Sequence, residues 1–136
     1  PPVPRPKKSR MKIKVTLLIG KTVKTLHISD PRYFQLYLCD DMSLPQGYMS
    51  TKDDKETVND IISKYFHIDP TWLNVEVTGF RRASNSDAEV VYTIIMPEVS
   101  GSNKSGNFFP YREIQRLDIE IDEYYEPLIS RRSSQL

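Results

Sequence analysis

The stretch DDKETVNDIISKYF, residues 53–66, contains the strongest structural pattern in the sequence. Asp53, followed three residues later by Glu56, has the form of a capping box, in which an acidic side chain begins a helix. The apolar residues after it recur with the helical period and form one continuous stripe. The pattern predicts an amphipathic α-helix that packs against another element, and Pro70 is expected to end it. The stripe consists of Val58, Ile61, Ile62, Tyr65 and Phe66.

Strand patterns precede this helix. Residues 12–19 alternate between polar and apolar side chains, as in a half-buried strand. A tight turn is predicted at residues 20–21, Gly-Lys, and leads into a second strand at 21–28. A third strand, rich in aromatic and aliphatic residues, is predicted at 33–38. The segment between this strand and the helix is predicted to be a loop.

Further strands and shorter helices follow the amphipathic helix. A half-buried strand is predicted at 73–80. The segment 89–96 is apolar on both faces and is therefore expected to be a central strand. A short strand at 108–111 and helices at 112–117 and 122–130 complete the order. This order predicts an α+β fold, a mixed β-sheet flanked by helices.

The length of 136 residues predicts one folded domain with flexible ends. Residues 1–10 contain four prolines and four basic residues and are predicted to be a flexible lead-in. The single domain is expected to span 11–130, and the polar residues 131–136 are predicted to be a flexible tail. Because the sequence does not begin with Met, the chain is expected to be a segment of a longer protein.

Composition argues against several classes of function. Basic residues number 19 and acidic residues 18, so a net charge of +1 gives no electrostatic reason to expect nucleic acid as a partner. No apolar run approaches the ~20 residues that a membrane helix needs, so no membrane span is predicted. The single cysteine, Cys39, cannot form an internal disulfide and is expected to be a buried structural residue. These features predict an intracellular protein, cytoplasmic or nuclear.

Residues 33–48, YFQLYLCDDMSLPQGY, resemble the strand of Nudix domains that leads into a Leu-Pro-Gly-Gly turn. The amphipathic helix at 55–66 then lies where the Nudix helix lies. The later segments VEVTGFRR, EVVYTIIMP and FFPYREIQRL resemble the later strands and the short helix of that family. The resemblance covers most of the chain, from Tyr33 to Ile129, and implies a Nudix-like fold.

The same resemblance implies where a Nudix hydrolase would hold its metal. In that family, glutamates on one helix face bind a divalent cation against a diphosphate, because hard cations prefer carboxylate oxygens. When the sequence is matched to this motif, Asp60 takes the arginine position. The three metal-binding glutamate positions hold Ile61, Lys64 and Tyr65. The resemblance therefore implies a degenerate domain that is not an enzyme, with no catalytic residue, no metal site and no cofactor.

Without a catalytic site, the sequence predicts a protein–protein interaction or scaffold domain, with another protein as partner. Two surfaces are candidates for this contact. One is the former substrate cleft, and the other is the exposed side of the first two strands, where lysines cluster. The candidate partner-binding residues are Gln46, Gly47 and Tyr48 in the cleft and Lys12, Lys14, Lys21 and Lys24 on the strands.

Three alternatives stay open. Residues 12–28, KIKVTLLIGKTVKTLHI, and the amphipathic helix resemble parts of a ubiquitin-like Ras-association domain, which implies a small GTPase as partner. The lysines of the first two strands could instead guard a sheet edge against aggregation. A residual Nudix-type hydrolase is the third alternative, and its test is turnover of nucleoside diphosphate derivatives with Mg²⁺ or Mn²⁺.

Two short basic motifs are candidate phosphorylation sites. RRAS and RRSS match a basophilic kinase pattern, with Ser84 and Ser134 as the acceptors. The two histidines, His27 and His67, have no second ligand at the spacing that a zinc site requires. No zinc site is therefore predicted.

Overall fold

The computed structural model describes residues 12–25, 28–49, 53–82, 87–96, 105–117, 119 and 121–134. The predicted lead-in, residues 1–10, lies outside these ranges. The described strands are β1 (Ile13–Thr25), β2 (Ile28–Cys39), β3 (Gln46–Met49), β4 (Val75–Arg82), β5 (Ala88–Ile95) and β6 (Gly106–Pro110). The described helices are α1 (Asp54–Tyr65), α2 (Tyr111–Arg116) and α3 (Glu126–Ser134), and a 3-10 turn covers Pro70–Trp72.

These six strands form one mixed sheet in the order β4-β5-β1-β2-β6, and β3 pairs with the first part of β1. β1 runs parallel to β5 and antiparallel to β2 and β3. The strand predicted to be central, β5, lies between β4 and β1, with Val91 and Ile94 fully buried on its two faces. The predicted α+β class, a mixed sheet flanked by helices, is confirmed.

The predicted turn at Gly20 is wrong, because β1 continues through it to Thr25. Gly20 pairs with Leu36 of β2 on one side and with Ile95 of β5 on the other. A Cβ atom at this position would lie 2.3 Å from Cζ of Phe34. The glycine therefore allows an aromatic ring to lie close to the strand. From sequence alone, a glycine with this role looks the same as a glycine in a turn.

Helix α1 begins where the capping box predicts. The Asp53 carboxylate accepts a hydrogen bond from the Glu56 backbone N–H at 2.8 Å, as an N-cap does. The predicted apolar stripe of the helix is buried against one face of the sheet, which we call the α1 face. The sheet contributes to this core Val15, Leu17, Ile19, Tyr37, Tyr92 and Ile94.

The opposite sheet face, called the α3 face, is covered by α2 and α3. Helix α3 starts at Glu126, later than predicted, and this places Pro127 in the first turn, where its missing N–H does no harm. The helix continues to Ser134, into the segment predicted to be a tail. The core on this face contains Leu18, Leu36, Leu38, Val91, Ile114, Tyr125 and Ile129.

Two further expectations concern burial and membranes. Cys39 is buried at the end of β2, as predicted. In the part of the chain that the structure describes, no helix is long and apolar enough to cross a membrane.

Candidate functional site

Four polar side chains stand side by side across the α3 face, near the beginning of β1. Lys14 of β1 pairs with Tyr48 of β3 on one side and with Glu89 of β5 on the other. Glu89 pairs in turn with Arg81 of β4. Because residues directly opposite each other in neighbouring strands point to the same face, these side chains are neighbours. We call Tyr48, Lys14, Glu89 and Arg81 the cross-strand row.

The cross-strand row forms one wall of a cavity of about 380 Å³, which Arg82, Asp87 and Ala88 complete. Lys14 and Arg81 are each about one third exposed, at 29% and 34% of the side chain. Tyr48 is 62% exposed. A ligand in the cavity can therefore contact Lys14, Arg81 and the ring of Tyr48. The volume of the cavity lies in the range of small-molecule sites.

Glu89 is the buried centre of the row, with 4% of its surface exposed. It accepts hydrogen bonds from Thr16 Oγ1 at 2.5 Å, from Arg81 Nε at 2.7 Å and from the Tyr125 hydroxyl, and Lys14 Nζ lies 3.5 Å away. A buried carboxylate needs such partners to remain charged. Burial acts to raise the pKa of Glu89, but the hydrogen bonds and the charge of Lys14 outweigh it and hold the pKa below its ordinary value. Glu89 is thus ionised at neutral pH.

Arg81 is also fixed from the side of α3. Its Nη2 donates to Asp122 at 2.9 Å, and its guanidinium lies 4.5 Å from the ring centre of Tyr124. The second ring, that of Tyr125, is 5.4 Å away. Cation–π contacts and ion pairs together restrict the guanidinium to one position. The segment before α3 therefore helps to set the geometry of the cavity.

Other cavities suit an anion less well. One of about 490 Å³ lies between α1 and β4, and Lys55 is the only basic residue that lines it, beside the carboxylate of Asp54. Another of about 400 Å³ lies between α2 and α3, where Glu123 and Glu126 would repel an anion. Of these three cavities, the one at the cross-strand row has the most basic residues among the described residues that line it.

The candidate residues from the sequence fall into separate places. Lys14 and Tyr48 come together at the cavity, whereas Gly47 faces α1. Lys21 lies beyond the row on β1, with its ammonium 5.6 Å from the ring centre of Phe108. The lysines do not form one cluster, because β1 does not turn at residue 20. Lys12 and Gln46 are exposed, and the side chain of Lys24 is outside the description.

Sequence reasoning missed Glu89 and Arg81 as site residues. The sequence patterns place Arg81 in a kinase motif and at the end of the segment VEVTGFRR, and Glu89 at the start of a central strand, and assign neither of them to a site. One pattern could have identified Glu89: a single carboxylate in a segment that is otherwise apolar on both faces must find a partner when the strand is buried. The partner itself, Arg81, is set by the register of β4 against β5.

The candidate phosphorylation sites and the two histidines are the remaining candidates. Ser84 and His27 lie outside the described residues, and Ser134 is the last residue of α3. His67 is exposed. Within the described ranges no group of three or more His, Cys, Asp or Glu side chains could hold a metal ion.

The residues on α1 do not fit the divalent cation that the Nudix resemblance implies. Ile61 and Tyr65 are 6% and 8% exposed, and the Lys64 ammonium lies 5.2 Å from the ring centre of Tyr65. A Cβ atom on Gly47 would be 3.1 Å from Cδ1 of Ile61, so the strand and the helix meet there through an aliphatic side chain. A hard cation requires oxygen ligands, which these positions do not supply. No chemical step is therefore assigned to a metal on α1.

No protein-family model and no curated protein matches the sequence, but solved structures match the fold. The Nudix domain of Shewanella oneidensis NrtR, solved with ADP ribose, is 15% identical, covers 93% of this chain and 89% of its own, and has a TM-score of 0.60. MutT of Aliivibrio salmonicida or Vibrio cholerae is 10% identical over 92% and 98% of the chains, with a TM-score of 0.64. Ap4A hydrolase of C. elegans is 9% identical over 93% and 99%, with a TM-score of 0.58.

These likenesses correct one prediction and confirm another. The prediction that the chain is not an enzyme is wrong, because an Ap4A hydrolase shares the fold over almost its whole length. These neighbours do not support the predicted scaffold role. The resemblance to a Ras-association domain is not shown. At these identities the likeness establishes the fold, and the chain has the fold of a Nudix domain.

Proposed function

We propose that the chain is a Nudix-type hydrolase whose substrate, a nucleoside diphosphate derivative, binds in the cavity at the cross-strand row. The observation that carries this proposal is the meeting of Lys14, Arg81 and Tyr48 at one cavity. The fold supports the substrate class, because one similar domain was solved with ADP ribose and another similar protein is an Ap4A hydrolase.

The cavity presents N–H donors that suit a diphosphate. Lys14, Arg81 and Arg82 line it together with Asp87 and Glu89, and Asp122 pairs with Arg81. Glu89 lies beneath the surface, whereas the two cations that it pairs with reach solvent. An incoming phosphate therefore meets the nitrogen atoms of Lys14 and Arg81 before it meets the carboxylate oxygens of Glu89. Guanidinium and ammonium groups form short, charge-assisted hydrogen bonds with phosphate oxygens.

The aromatic part of the substrate is assigned to Tyr48. Its ring is exposed and lies next to Lys14 in the sheet. A nucleobase that stacks on an aromatic ring gains about 1–3 kcal/mol, largely independent of base identity. Tyr48 and Lys14 lie on neighbouring strands, which are about 5 Å apart, so one ligand can contact both the ring and the lysine.

The hydrolytic step needs a group that accepts a proton from water. Glu89 is a poor candidate, since its oxygens are engaged by Thr16, Tyr125 and Arg81. Asp87 lines the same cavity and is assigned this role. Water attacks one phosphorus atom, the bond from that phosphorus to the bridging oxygen breaks, and the proton of the water passes to Asp87. Fixed cations stabilise the charge that develops on the leaving phosphate.

Turnover of a substrate panel tests the proposal. The panel contains ADP-ribose, diadenosine tetraphosphate and nucleoside triphosphates, each with Mg²⁺ or Mn²⁺, with products separated by chromatography. Lys14→Ala is expected to lower kcat/KM about tenfold or more, the effect of one charge-assisted hydrogen bond. Asp87→Asn is expected to lower kcat about a hundredfold or more, as loss of a general base does.

Lys21→Ala is the matched control, because Lys21 lies on the same strand and outside the cavity. It is expected to leave turnover unchanged. Absence of turnover for every member of the panel would refute the hydrolase proposal. Equal turnover in Lys14→Ala and the unmodified chain would refute the assigned site.

A further inference from the structure

The place at which the Nudix resemblance puts a cation is filled by apolar atoms. Ile61 packs on the α1 face against the backbone of Gly47 and is almost fully buried. Neighbouring Lys64 adds a positive charge in place of a carboxylate. An ion brought there would lose its water ligands without gaining protein oxygens. This loss of hydration costs roughly several kcal/mol per ion. A phosphate ligand must therefore find its charged partners elsewhere on the chain.

Fixed cations lie on the other face of the sheet. Lys14 Nζ and Arg81 Nε lie 3.5 Å and 2.7 Å from the two carboxylate oxygens of Glu89. Their side chains come from different strands, β1 and β4, on either side of β5. Glu89 thus acts as a positioning residue that holds both cations at the cavity before any ligand arrives. Charges that are already in position require little reorganisation when an anion binds.

We infer that Lys14 and Arg81, which Glu89 holds in place, bind the diphosphate of the ligand directly, so that binding requires no divalent cation. This inference rests on the proposed function, because it concerns the same cavity and the same class of ligand. It differs from that proposal in stating that no metal ion is needed. The ligand is held by N–H donors of the protein on the α3 face of the sheet.

The cations offer several N–H donors to a phosphate ligand. Arg81 donates from Nη2 to Asp122 and from Nε to Glu89. Lys14 carries three N–H donors and makes one ion pair with Glu89 among the described contacts. Two phosphate groups joined by one oxygen present more acceptor oxygens to these two side chains than a single phosphate does.

Calorimetric titration with ADP tests the inference on the whole chain, once with excess EDTA and once with Mg²⁺. We expect ADP to bind in EDTA at least as tightly as in Mg²⁺, because Mg²⁺ neutralises part of the charge of ADP in solution. Lys14→Ala is expected to weaken binding about tenfold or more in both buffers. AMP is expected to bind about tenfold more weakly than ADP, since it has one phosphate fewer to accept hydrogen bonds from the two cations. Lys21→Ala serves as the folded control with unchanged affinity.

The possible failures are distinguishable. Binding of ADP only in Mg²⁺ would overturn this inference and leave the proposed function in place. Absence of ADP binding in both buffers would overturn the ligand class, and the inference with it. Binding in EDTA that Lys14→Ala does not weaken would overturn the assignment of the cations.

Paramagnetic broadening by Mn²⁺ gives a second readout that does not depend on any ligand. Amide signals of an isotope-labelled chain near a bound Mn²⁺ broaden selectively. We expect no selective loss of signal in α1 or in β3 when Mn²⁺ is added below the protein concentration. Selective broadening around Gly47 and Ile61 would overturn the inference, because it would place an ion where the structure has an aliphatic contact.

Discussion

Replacing Glu89 with alanine is expected to lower the free energy of unfolding by about 3 kcal/mol, a large part of the stability of a domain of this size. The substitution removes the acceptor for Thr16 and Tyr125, whose hydroxyls are buried with it, and leaves Arg81 without its closest partner. Each buried donor that loses its partner costs about 1–3 kcal/mol. Partial exposure of Arg81 and Lys14 reduces the penalty, because water can solvate them. Urea unfolding at neutral pH measures the loss.

Glu89→Gln removes the negative charge of Glu89 and keeps the volume of its side chain. The amide N–H₂ group then faces other hydrogen-bond donors, so we expect the free energy of unfolding to fall by about 2 kcal/mol. Glu113→Gln, an exposed carboxylate on α2, is the matched control and is expected to change the stability by less than about 0.5 kcal/mol. A chain with Glu89→Gln as stable as the unmodified one would contradict an ionised Glu89.

The stabilising effect of Glu89 is expected to depend on pH. Its pKa is lowered in the folded chain, so its contribution is complete above the pKa of an unfolded glutamate, about 4.3. The contribution is lost as the pH falls through the lower folded value. The difference in unfolding free energy between the unmodified chain and Glu89→Gln is therefore expected to shrink from neutral pH to about pH 3. A difference that stays constant or grows toward acid would contradict this assignment.

Ile61→Glu is expected to destabilise the chain by about 3 kcal/mol or more, because it places a carboxylate in a buried, aliphatic contact. Ile61 is 6% exposed and lies against Gly47. The same substitution restores the residue type that the Nudix motif would have at this position. Since Lys64 and Tyr65 supply no further carboxylate, Mn²⁺ is expected not to restore the lost stability. Thermal unfolding with and without Mn²⁺ measures both effects.

Ile61→Leu is the matched control for this change. A volume-conserving apolar exchange is expected to cost less than about 1.5 kcal/mol. Recovery of Ile61→Glu to the stability of the unmodified chain in Mn²⁺ would contradict the absence of a metal site on α1. It would also show that one carboxylate suffices to recreate that site.

The parts of the fold that were predicted from sequence are those set by local chemistry. The capping box and the apolar stripe of α1 are examples, because both depend on residues within a few positions of one another. The turn predicted at Gly20 is wrong because a glycine is needed there for another purpose. It leaves space for the ring of Phe34, which is distant in sequence. The sequence predicts a loop at β3, since its four residues become a strand only through pairing with β1.

The candidate site was predicted only in part for the same reason. The sequence predicts Lys14 as a contact residue because it belongs to the lysines of the first strands. It predicts Tyr48 for a different reason, its place in the former substrate cleft. Their meeting depends on the register of β3 against β1, and that of Glu89 and Arg81 on the register of β4 against β5. Register between strands distant in sequence is fixed by the packing of the whole sheet, which a single sequence does not reveal.

We propose that a diphosphate ligand lies over the cross-strand row on the α3 face. Titration of ADP into the isotope-labelled chain, followed by amide chemical shifts, tests this placement most directly. We expect the largest shift changes at Lys14, Tyr48, Arg81 and Ala88. Shift changes centred instead on Asn59, Thr71 and Leu73, which line the cavity between α1 and β4, would contradict it.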